Sequence, residues 1–177
     1  AFAVLSLALK AAVRDGLLET NPLADIRRPR KDRVEVPVMT ADEVERLLNN
    51  EATRCSYYYP LVVFVANTGV RIGEALSLRW RDVNLDAATV TIRRGSLADD
   101  GTKTAAGLRT VPLIPEVSAA LNAQRRRQNE DKLSMGPGWQ DTEGLVFTTG
   151  VGSPVDDHNA RRTLRLLLKH AGLASDR

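Results

Sequence analysis

Cysteine and histidine are nearly absent from this 177-residue chain, which has one Cys (Cys55) and two His (His158 and His170). A lone thiol excludes an intrachain disulfide, and with it the stapled scaffold of a small secreted domain. So few ligands, so far apart in sequence, argue against a structural zinc site. No apolar run is long enough to span a bilayer. The opening Ala1 to Leu9 is apolar, but it has no basic n-region. Lys10, Arg14 and Asp15 follow in helical phase, which argues against a signal peptide. A cytoplasmic location is therefore expected. Tyrosine is scarce as well: Tyr57, Tyr58 and Tyr59 are consecutive, and none follows them. There is no initiator Met, the first helix starts without a cap, and the chain stops just past Gly172. It reads as a piece of something longer.

What remains is ordinary for a soluble fold. An apolar fraction of 43% can fill a core, and 27% charged residues is typical. A net charge of +3 is too small to establish a polyanionic partner. The basic residues do cluster, as Arg27, Arg28, Arg30, Lys31 and Arg33, and again at Arg125 to Arg127. A solvated face accounts for either cluster; a surface that follows a phosphate backbone is the alternative.

The stretch from Asn67 to Leu76 is the least generic. Upstream, Tyr58 to Ala66 is an apolar run broken only by Pro60, which predicts a buried helix. Gly69 can adopt the positive φ that ends it, and Thr68 can begin the next. Arg71 and Glu74 then lie three apart on one helical face. A guanidinium is a planar five-donor fork suited to two oxygens of one phosphate. A surface Arg–Glu pair of little energetic consequence is the plainer alternative.

Elsewhere the pattern alternates between helix and strand. Phe2, Leu5, Leu9, Val13 and Leu17 mark an amphipathic helix closed by Asn21-Pro22. Residues Ala24 to Val38 have linker composition. Thr40 and Glu43 form a capping box. Thr89 to Arg93 and Leu108 to Leu113 read as strands, the second at an edge because of Pro112. Lys103 lies between them on or beside a hairpin, where a lysine is usually just solvated. Pro115 opens a helix ending at Arg125 to Arg127, followed by a loop from Asn129 to Gly144. Leu145 to Phe147 suggests a short strand, and Asp157 to Ala171 a last helix. Three consecutive tyrosines point in three directions around a helix, so packing explains Tyr57 to Tyr59 better than catalysis.

Three segments resemble the tyrosine recombinases, or phage-type integrases. Thr68-Gly69-Val70-Arg71-Ile72-Gly73-Glu74-Ala75-Leu76, continuing to Val83, is similar to their first catalytic box. Thr102-Lys103-Thr104, continuing through Arg109 to Leu113, is similar to the family's hairpin. Ala12 to Leu23 looks like the end of the helical core-binding domain. The resemblance implies an α+β, mainly helical fold with a small three-stranded antiparallel sheet. It places the last core-binding helix in 1–23, a basic interdomain linker in 24–38 and the front of the catalytic domain in 39–177.

By the same resemblance Arg71 holds the scissile phosphate, Glu74 supports Arg71, and Lys103 is the general acid. Arg27, Arg28, Arg30, Lys31, Arg33, Thr104 and Arg109 would contact DNA. No metal or nucleotide cofactor is implied. The partner is double-stranded DNA, engaged as a tetramer on paired sites in the nucleoid, with accessory DNA-bending proteins as candidates. The family's second box has the form His-x-x-Arg. His158 to Arg161 fits it literally, yet its surroundings resemble the strand, turn and helix that precede that box. With no tyrosine after Tyr59, the family nucleophile is missing from these residues, and this chain alone is expected not to cleave DNA. A non-catalytic DNA-binding or regulatory module is the rival reading.

Overall fold

The computed structural model describes residues 2–24, 26, 38–93, 108–141 and 143–174. The chain divides into two compact units, Ala1–Pro37 and Val38–Arg177.

In the first unit, helix α1 (Phe2–Arg14) stops earlier than its apolar spacing suggests. Gly16 takes a left-handed φ of 74°, and the Leu17 N–H reaches back to the Ala12 carbonyl at 2.8 Å, which terminates the helix. Asn21-Pro22 forms a separate turn, in which the Asn21 side chain accepts the Leu23 N–H. Val4, Leu7 and Leu17 of this unit are exposed.

The second unit opens with α2 (Ala41–Asn49), headed by the expected capping box: Thr40 Oγ1 accepts the Glu43 N–H, and Glu43 accepts the Thr40 N–H. After the short α3 (Glu51–Arg54) comes α4 (Tyr59–Thr68), with Pro60 in its first turn. This helix is apolar all round because it serves two clusters. Val62 packs with Leu47, Leu167 and Leu168, while Leu61, Val63 and Phe64 enter the main core. Gly69 at φ 64° ends it. Thr68 does not begin the next helix as its type suggests. Its hydroxyl donates to the Phe64 carbonyl inside the last turn of α4, and Arg71 becomes the N-cap of α5 (Ile72–Leu76).

A three-stranded antiparallel sheet follows, in the order β1 (Val83–Asn84), β2 (Thr89–Arg93) and β3 (Leu108–Pro112). Val90 and Ile92 of the central strand are buried, and Pro112 does lie on an edge strand. Arg109 pairs with Ile92 and Val111 with Val90. Period two therefore sends Arg109 and Val111 to the inward side of β3 while Leu108 and Thr110 face out.

Helix α6 begins at Pro115 as expected but runs to Met135, through the predicted end at Arg127 and into the predicted loop. That extension lacks an apolar stripe; its inward positions are polar groups with partners. Gln124 Nε2 donates to the Val146 carbonyl at 2.9 Å, and Gln128 Nε2 to the Leu145 carbonyl at 2.9 Å and to Thr148 Oγ1 at 3.0 Å. Trp80 Nε1 in turn donates to Gln128 Oε1. Leu145 makes one isolated bridge to Arg79 rather than a strand, so these two glutamines take carbonyls that a sheet would otherwise satisfy. Arg125 and Arg127 are not helix-end cations: Arg125 lies over Trp80 and Arg127 over Tyr57. Helix α7 (Asp157–His170), capped by Asp156, buries Leu167 and Leu168. No described helix is long and apolar enough to cross a membrane.

Replacing Gln128 with Ala strands the Trp80 indole N–H and two buried acceptors. A loss of about 1–3 kcal/mol per unmet buried group is expected, read as a lower urea midpoint with an unchanged slope.

Candidate functional site

Four residues carry the chain from α4 to the site. Gly69 reverses it, Val70 plugs into the core with 3% exposure, Arg71 caps α5 and Glu74 sits at the third position of that helix. Glu74 Oε2 accepts the Arg71 backbone N–H at 3.1 Å, which is half of a capping box. The other half is missing because a guanidinium has no acceptor.

The Glu74 carboxylate is 8% exposed and answers to two guanidiniums. Arg71 donates to Oε1 through one nitrogen at 3.4 Å, and its side chain remains 75% exposed. Arg109, inward on β3, donates to Oε1 at 3.1 Å and to Oε2 at 2.7 Å. The Arg109 hydrogen bonds foremost, then the Arg71 amide and the two positive charges, hold the Glu74 carboxyl from its ordinary 4.5 down to about 2, against the upward push of burial. Glu74 in turn holds the Arg109 guanidinium above its ordinary value. The trio carries one negative and two positive charges. Among the described residues, what stays unsatisfied is Arg71: an exposed guanidinium with a single long side-chain contact and donors to spare.

The structure thus brings together three residues singled out from sequence, but in a different arrangement. Glu74 supports Arg71 mainly through the backbone, and its strongest partner is Arg109, which the family resemblance makes a DNA contact. The signal for this lay in strand phase, since Arg109 shares a face with Val111 and Leu113. Lys103, Thr104, Arg27, Arg28, Arg30, Lys31 and Arg33 lie outside the described residues. His158 is exposed in the first turn of α7, and Arg161 pairs with Asp157 of the same helix at 2.9 Å. Tyr57 donates its hydroxyl to Asp131 at 2.9 Å beneath Arg127. Burial, then that hydrogen bond, pushes its phenol up to about 12. Tyr58 and Tyr59 pack against the core. Among the described residues no group of three His, Cys, Asp or Glu gathers as metal ligands.

The family model described as "Phage integrase family" matches residues 37–177. The chain belongs to the phage integrase family. Among the family's curated members, a "Tyrosine recombinase XerC-like" protein of Caldanaerobacter subterraneus subsp. tengcongensis is 28% identical, over 92% of this chain and 47% of that protein. The prophage integrase IntR of Escherichia coli is 29% identical, over 69% of this chain and 30% of its own length. The chain spans about half or less of these relatives. The crystal structure of XerA recombinase superposes with a TM-score of 0.58 at 26% identity, over 94% of this chain and 54% of that one. A lambda integrase dimer bound to a COC′ core site gives 0.67 at 17% identity, over 97% and 57%; that likeness is one of fold. The mainly helical architecture with a three-stranded antiparallel sheet is that of phage integrase catalytic domains.

The Glu74 value makes an acid-stability prediction. A carboxyl depressed on folding contributes fully above its unfolded value near 4.5, and that contribution vanishes as pH falls to about 2. The shift corresponds to about 3 kcal/mol. In urea unfolding, the gap between wild type and Glu74→Gln should be widest near neutral pH and should shrink steadily between pH 4.5 and 2.

Proposed function

We propose that the protein to which this chain belongs is a site-specific recombinase that breaks and rejoins DNA through a 3′-phosphotyrosyl intermediate. Residues 1–23 end its core-binding domain, 24–38 form a basic linker and 39–177 form the front of its catalytic domain. The observation that carries this reading is the exposed Arg71 guanidinium, seated beside a nearly buried carboxylate that Arg109 already neutralises. An isolated surface ion pair needs no such arrangement. A phosphate fits it, because the cluster has a net positive charge and its donors face solvent.

In the reaction, a tyrosine that lies outside these residues attacks the scissile phosphorus. The bond to the 5′ oxygen breaks, and that oxygen departs as a free 5′-OH. Arg71 stabilises the non-bridging oxygens, and Lys103 delivers the proton that the leaving oxygen needs. No metal or nucleotide takes part. The basic stretch Arg27 to Arg33, with Thr104, contacts the DNA backbone, so binding weakens steeply with salt. The intact protein works on paired sites as a tetramer, in the cytoplasm on the nucleoid, with accessory DNA-bending proteins as candidate partners. Among relatives, lambda integrase has been seen as a tetramer bound to a Holliday junction.

A suicide-substrate assay on the complete recombinase tests this. Arg71→Ala should lower covalent protein–DNA adduct formation by about 10²–10³-fold while site binding stays largely intact. Loss of binding with normal cleavage of whatever remains bound would refute the role.

A further inference from the structure

Glu74 has two arginine partners, and the better geometry belongs to the one distant in sequence. Arg109 offers two N–H groups to the two carboxylate oxygens at 3.1 and 2.7 Å, whereas the Arg71 side chain reaches one oxygen at 3.4 Å. A planar fork fixes both the distance and the plane of a carboxylate; one long contact fixes neither. We propose that Arg109 is a positioning residue for strand cleavage, clamping Glu74 from β3 so that Arg71 is correctly presented, without touching DNA itself.

The inference rests on the phosphate role proposed for Arg71. Its support comes from two further features. First, Glu74 Oε2, the atom that Arg109 holds at 2.7 Å, also accepts the Arg71 backbone N–H at 3.1 Å. The clamp therefore acts on the backbone from which Arg71 projects. Second, Arg109 has a rigid mount: it stands opposite Ile92, which is 1% exposed, on the inward row of the sheet. A guanidinium committed in this way would have to abandon a nearly buried carboxylate before it could grip a phosphate, leaving that charge poorly compensated.

The complete recombinase distinguishes positioning from DNA contact and from simple structural support. Arg109→Ala should slow single-turnover adduct formation on a suicide substrate by about 10²-fold, the scale of a small misplacement of a reacting group. Site affinity and its salt slope should not change. On an Arg71→Ala background, adding Arg109→Ala should cost little more, because one residue acts through the other. Arg109→Lys keeps the charge and loses the fork, so it should fall between wild type and Arg109→Ala. If Arg109→Ala does not fold, Arg109→Lys carries the same tests.

Weaker binding with a salt slope reduced by about one phosphate contact would make Arg109 a DNA ligand and overturn the proposal. So would fully multiplicative effects in the double variant, or an unchanged adduct rate in Arg109→Ala where Arg71→Ala is crippled. An unchanged rate in Arg71→Ala itself would instead defeat the phosphate role, and the inference with it.

Discussion

A carboxylate taken out of water needs compensation from charge and hydrogen bonds, and Glu74 receives both from two directions. The backbone of its own helix start supplies one hydrogen bond at 3.1 Å, and an arginine 35 residues later supplies two. Position 74 is therefore where the short helix α5 and the edge strand β3 are joined. Removing either partner of such a pair is more costly than the pair is stabilising, because a buried charge is left behind. The same accounting explains why Arg71 is available: Arg109 already neutralises the carboxylate, so the exposed guanidinium keeps donors free for another anion.

The rest of the second unit keeps that junction still. Helix α4, buried from Pro60 to Phe64, delivers the chain to Gly69, whose left-handed conformation turns it sharply towards Arg71. Val90 and Ile92 anchor the sheet from which Arg109 points inward. Gln124 and Gln128 tie α6 to the irregular segment around Leu145 to Thr148, so a stretch outside the three-stranded sheet is still fixed by hydrogen bonds.

Much of this was legible in the residues. Thr40 with Glu43 announced a helix start, Pro115 another, and alternation from Thr89 to Arg93 gave a strand with the bounds observed. Arg71 and Glu74 stood out by spacing and by the motif around them. The sequence was misleading where polar residues face inward. The second half of α6 has no apolar stripe because glutamines and Asp131 occupy its contacts, so hydrophobic periodicity has nothing to report there. Thr68 looked like a cap because threonine often is one; its hydroxyl instead donates back to the Phe64 carbonyl within α4. The resemblance makes Arg109 a DNA contact, and the structure gives it Glu74 as a partner at 2.7 and 3.1 Å. That partnership follows from strand phase, which Arg109 shares with Val111.

Glu74 as the shared anchor is also the easiest part of the account to observe directly. The side-chain carboxyl carbon of Glu74, followed by NMR in the 177-residue chain as pH is lowered, should titrate near 2. A midpoint close to 4.5 would mean that the two guanidiniums do not hold it in solution, and the site would have to be rebuilt from a different arrangement.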